Sequence, residues 1–206
     1  MAIGGNEQKR GRAALLRSFV ERAGGDGSRI VIIPSASVEP EIRALQYARI
    51  FHHLGAGRVR SIHAERGLTR DELMLVNNAS GIFVAGGDQS QLMFHLRRTG
   101  CDAAIADAVA NGAVYAGTSA GAAVVSGRMI AGEERGRVFF GDGLGLVPGV
   151  IVDQHFSERR RLARLTFAVR EHGLTGIGID EDTAMIWERD GRTHVAGSGR
   201  VTIVEP

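Results

Sequence analysis

Along the chain, short apolar runs rich in β-branched residues alternate with stretches whose apolar residues recur at helical spacing. "RIVIIP" (29–34) reads as a buried strand, bounded by the glycine-rich "AGGDGS" and by a proline. "EPEIRALQYARIFHHLGA" follows, placing Ile42, Leu45, Ala48, Phe51 and Leu54 on one expected helical stripe that ends at a glycine. "VRSIHA" predicts a strand, and "TRDELMLVNNA" a helix capped by Thr69. "GIFVAGG" is a strand running into a glycine pair. "DQSQLMFHLRRTG" and "CDAAIADAVANG" are helices, and "AVYAG" is again a strand. "GVIVD" delivers Asp-Gln-His at its end, ahead of an arginine-dense helix in "SERRRLARL". This rhythm implies a mostly parallel sheet with helices on both faces. The last fifth differs: "GIGID", "TAMIWERDGRTHVAG" and "RVTIVEP" predict short strands and a β-hairpin turning at Asp190–Gly191.

Composition narrows the class. At 206 residues, with 44% hydrophobic and 23% charged content, the chain is expected to fold as one globular domain, residues 1–206. No apolar run approaches the roughly 20 residues that cross a bilayer, and "MAIGGNEQKRGR" holds no signal-peptide core. The expectation is a cytoplasmic protein with no membrane partner. Cys101, the single cysteine, cannot form an internal disulfide and has no base nearby, so it reads as structural. The net charge is only +2, with little aromatic interleaving and no basic tail, which argues against nucleic acid as a partner.

Chemistry enters with Gly117-Thr118-Ser119-Ala120-Gly121, a G-x-S-x-G between a strand and a small-residue helix. A sharp elbow there brings backbones close to the serine, where larger side chains would clash. Ser119 would then sit at a helix N-terminus, with the Ala120 amide aimed at a developing oxyanion. A plain N-cap in a tight turn accounts for the same pattern.

A serine hydroxyl needs a base. Six of the seven histidines fall on helix faces, ordinary strand positions or the terminal hairpin. His155, just past the end of "GVIVD", is the candidate. The base needs an acid behind it, and "GIGIDEDTA" offers Asp180, Glu181 and Asp182, among which pattern alone does not choose. The order serine, histidine, acid excludes a standard α/β-hydrolase. Gly86-Gly87 at another strand end suits a second oxyanion donor, or simply a turn. No phosphate loop or dinucleotide fingerprint is present. Asp153 and His155 find no third ligand at sensible spacing, so neither metal nor cofactor is expected.

Taken together, "IGGNEQK", "IIPSAS", "FVAGGDQSQL", "GTSAGAAV", "GLGLVPGVIVDQHFSERRRLARL", "GIGIDEDTA" and "VAGSGRVTIVEP" resemble the cyanophycinase branch of the dipeptidase E family of serine peptidases over nearly the whole chain. The resemblance implies a three-layer α/β/α sandwich like that of class I glutamine amidotransferases. It makes Ser119 the nucleophile, His155 the base, Glu181 the acid, and Gly87 and Ala120 the oxyanion donors. Gln89, Asp153, Gln154, Arg159, Arg161 and Arg164 match substrate-binding positions. The implied substrate is cyanophycin, a poly-aspartate carrying arginine on each β-carboxyl, cleaved to β-Asp-Arg. It would need Asp153 or another carboxylate for guanidinium, and the arginines for carboxylate. An α-aspartyl dipeptidase and a non-catalytic binding protein are the alternatives, and a homodimer is what such relatives suggest.

Overall fold

The computed structural model describes residues 1–206. In chain order its elements are β1 (Ala2–Ile3), α1 (Ala14–Arg22), β2 (Arg29–Ile33), α2 (Pro40–His53), β3 (Arg58–Ser61), α3 (Arg70–Asn77), β4 (Gly81–Val84), α4 (Gln89–Thr99), α5 (Cys101–Ala110), β5 (Val114–Thr118) and α6 (Ala120–Ala123). There follow β6 (Arg128–Glu134), β7 (Arg137–Asp142), β8 (Val150–Gln154), α7 (Leu162–His172), β9 (Thr175–Ile179), β10 (Thr183–Trp187), β11 (Thr193–Gly197) and β12 (Val201–Val204).

Seven strands form the main sheet in the order β11-β10-β1-β5-β4-β2-β3. The five from β1 to β3 run parallel, and the β10–β11 hairpin closes one edge antiparallel to β1. A second sheet, β12-β9-β8, pairs β8 with β9 in parallel, and β6 and β7 form a separate hairpin.

The alternation along β2 shows why the molecule has three layers. Ile30 and Ile32 join a core under α1 and α2, whereas Val31 and Ile33 join the core under α3, α4 and α5. Both faces are therefore buried, which is why the strand reads as an unbroken apolar run. Thr69 caps α3 in a full capping box with Glu72. Cys101 opens α5, fully buried, and burial pushes its thiol up to about 12.

The stripe expected on α2 is corrected. Phe51 and Leu54 are buried, but Ile42 and Leu45 are 62% and 53% exposed. The helix is turned so that Ala44, Tyr47 and Phe51 face inward. Tyr47 and Phe51 pack with Phe19 and Phe83 at ring separations of 4.5–5.9 Å. Aromatic rings bury more area than the aliphatic side chains they displace, and their mutual contacts add to it. The arginine-rich segment is corrected too. Arg159, Arg160 and Arg161 lie in turns, and α7 begins only at Leu162.

Candidate active site

Five strand ends point at one place: β1, β4, β5, β8 and β9 each deliver a loop from their carboxyl end. That is where open α/β sheets collect reactive groups. Four of the seven non-glycine residues with positive φ lie there, namely Asn6, Ser119, His155 and Asp182. Such conformations cost on the order of 1–3 kcal/mol each and persist only where the surroundings impose them.

Ser119 follows β5 with φ 52° and ψ −110°. Its backbone N–H donates to Ile3 O at 3.0 Å, and its side chain makes no capping bond. The plain N-cap reading is thereby excluded. Side chains at Gly117 or Gly121 would run into the backbone of Gly121 and Val84, as the close approach of strand and helix predicts. The Ser119 hydroxyl lies 3.1 Å from His155 Nε2 and, less closely, 3.4 Å from Gln154 Oε1.

His155 directly follows β8 with φ 48°, and its N–H donates to Gly4 O at 2.7 Å. Its Nδ1 is 2.6 Å from Glu181 Oε1. With a carboxylate accepting there, Nδ1 carries the proton, and Nε2 is left as the acceptor facing the serine. The hydrogen bond from His155, then that from Asn6, hold the Glu181 carboxyl below its ordinary 4.5.

Geometry thus chooses among the three acids. Asp180 is buried, accepting N–H bonds from Ser157 and Arg200, and Asp182 accepts from Gln8 and Ser198. Only Glu181 reaches the ring. Glu158 is exposed and accepts the Glu181 N–H at 3.2 Å.

Beside the serine, Ala120 is the first residue of α6, so its amide has no partner within the helix. The Gly87 amide, at the end of the β4 loop, donates to no other group of the protein. Gly87 has φ 148°, and a side chain there would collide with the Ala36 carbonyl.

The six positions expected to hold substrate separate. Gln89 Nε2 is bound to Ile130 O and Ala131 O, at 3.0 and 2.9 Å. Asp153, 1% exposed, does not await a guanidinium from outside. Arg164 grips it with two bonds of 2.7 and 2.5 Å, and Arg161 adds a third of 3.2 Å. Arg161 also donates to Gln154 O at 2.5 Å, and burial brings its guanidinium down to about 10. A carboxylate removed from water is stable only when so paired, which is why the protein supplies its own cations. Gln154 faces the serine, and Arg159 is exposed near Glu181 with no ion pair of its own. A cleft of about 610 Å³ lined by Val109, Tyr115, Leu146, Trp187 and Arg189 lies at the opposite end of the sheet and includes none of these residues.

Residues 1–195 match the sequence profile of peptidase family S51. The chain belongs to that family. It is a peptidase. It is 44% identical over 217 residues to a cyanophycinase of Trichormus variabilis, an alignment spanning 100% of this chain and 73% of that protein. A cyanophycinase of Synechococcus elongatus is 43% identical over 218 residues, with 100% and 67% covered. Among solved structures, a peptidase from an acI-B1 actinobacterium superposes with a TM-score of 0.76 at 24% identity, over 98% of this chain and 88% of that one. That likeness carries the fold alone. No helix is long and apolar enough to cross a membrane.

The Gly4–Gln8 segment is what sequence reasoning missed. Its residues carry no periodicity or motif of their own, yet it touches the loops of Ser119, His155 and Glu181.

Proposed function

We propose that residues 1–206 work as one serine peptidase unit that hydrolyses cyanophycin, releasing β-Asp-Arg through an acyl-enzyme on Ser119. The observation that carries this reading is the continuous contact from Ser119 Oγ through the His155 ring to Glu181. The full-length likeness to cyanophycinases supports the choice of substrate.

Ser119, on its nucleophile elbow, attacks the aspartyl carbonyl carbon as His155 Nε2 takes the hydroxyl proton. Glu181 holds the ring by Nδ1–H and stabilises the imidazolium. The amides of Ala120 and Gly87 receive the oxyanion, and losing one such donor costs roughly 10²–10³ in turnover. His155 then protonates the leaving amine, and water, deprotonated by the same nitrogen, releases the acyl group. Of the arginines, Arg159 is the one free to meet a substrate carboxylate, since Arg161 and Arg164 are engaged by Asp153.

The test is a substrate panel of cyanophycin, β-Asp-Arg-containing peptides and Asp-X dipeptides, run beside Ser119→Ala. The reading expects β-Asp-Arg from cyanophycin and no hydrolysis by the variant. Cleavage confined to Asp-X dipeptides would overturn the substrate, and an active variant the nucleophile.

A further inference from the structure

We propose that Asn6 is a positioning residue for Glu181, holding its carboxylate at the angle from which it orients His155. This rests on the roles proposed for Ser119, His155 and Glu181. Asn6 Nδ2 donates to Glu181 Oε2 at 2.9 Å, while His155 occupies Oε1. An ionised carboxylate only accepts hydrogen bonds, so the amide must present its NH₂ there. The Glu181 side chain is otherwise lightly held: its terminal torsion is of the broad kind, and the bonds from its N–H to Glu158 at 3.2 Å and from the Thr183 hydroxyl to its carbonyl at 3.0 Å fix only the backbone. With Oε2 unheld, the carboxylate is free to rotate away from the imidazole.

The segment carrying Asn6 cannot drift. Gly4 accepts the His155 N–H and donates to Thr183 O, and Gly5 O accepts the Asp182 N–H at 2.9 Å. Gly5 has φ 104°, and any side chain on it would strike the His155 ring. Glu7, 3% exposed, anchors the far side. It accepts from the Tyr47 hydroxyl at 2.5 Å and from the Thr118 hydroxyl at 2.6 Å, with Lys9 at 3.0 Å. Gln8 grips Asp182 by its N–H and its amide, at 3.0 and 3.1 Å. Asn6 itself has φ 47°, a conformation asparagine tolerates better than most residues. One rigid strap therefore spans the loops of the serine, the histidine and the acid, and Asn6 is its single side-chain contact with Glu181.

The experiment compares kcat, KM and thermal stability of Asn6→Gly and Asn6→Asp with those of wild type and Ser119→Ala. Glycine keeps the backbone conformation and removes the amide. Its kcat should fall about tenfold, the scale of one charge-assisted hydrogen bond. KM should stay within about twofold, because Asn6 does not touch substrate. Asn6→Asp fills the same space and accepts the same backbone, yet sets carboxylate against carboxylate, so its kcat should fall further. A purely structural role predicts the reverse order. Wild-type kcat in Asn6→Gly, a more active Asn6→Asp, or equal losses of melting temperature in both variants would overturn the inference. An active Ser119→Ala would instead overturn the serine mechanism beneath it.

Discussion

Asp153 and His155 leave the same strand two residues apart and meet opposite fates. Asp153 is enclosed, and its two oxygens are taken by Arg161, Arg164 and the Gln154 N–H. His155 breaks from the strand at φ 48°, so alternation no longer sets where its ring points, and it turns toward Ser119 and Glu181. In the first group the protein satisfies its own charge and nothing remains for a ligand. In the second, the serine hydroxyl is engaged by the His155 ring, and the Ala120 and Gly87 amides keep donor capacity that a visiting group can fill. Polar residues in one short motif thus divide into those that hold the site together and those proposed to act, and it is the partners of each, not proximity to the serine, that divide them.

Exchanging alanine into each member should break this pair of roles most sharply. His155→Ala is expected to lower kcat/KM by about 10⁴-fold or more while the protein stays folded. Asp153→Ala should cost roughly 3–5 kcal/mol of stability in denaturant titration, because two guanidinium groups lose their counter-charge. Equal destabilisation by both would erase the distinction.

A smaller effect attends Glu181→Gln, which keeps the shape but removes the acceptor charge. Its kcat should drop roughly 10³- to 10⁴-fold. The Glu181 carboxyl sits below its ordinary 4.5 in the folded protein. Its contribution to stability is therefore present above that value and lost as pH falls through the lowered one. The stability gap between wild type and Glu181→Gln, followed by thermal melts, should close on acidification. A gap that widens would contradict the assignment.

The smallest difference separates the arginines. Arg159→Ala should raise KM about tenfold with an unchanged melting temperature, as one exposed ion pair to substrate is lost. Arg161→Ala should instead lower the melting temperature by several degrees.

How much of this was readable in advance follows from which forces act locally. The parallel strands, the Thr69 cap and the Asp190–Gly191 turn follow from short-range pattern and were legible. The glycines around Ser119 were legible too, as Gly117 lies against the Gly121 backbone four positions on, and Gly121 against Val84. Glu181 was not separable from Asp180 and Asp182 by pattern, since three consecutive residues at a strand end differ only in what the rest of the chain brings near. The two-residue strand β1 and the strap after it were also hidden. Two residues show no periodicity, and the strap's value lies in contacts more than 100 positions away. The rotation of α2 escaped for the same reason: its inward face is chosen by Phe19 and Phe83 on other elements.

The most direct test of the central claim is mass spectrometry of the protein after exposure to a fluorophosphonate. The account predicts a single adduct on the peptide carrying Ser119, absent when His155 is replaced by alanine. Continued hydrolysis by a protein labelled elsewhere, or labelled nowhere, would contradict it.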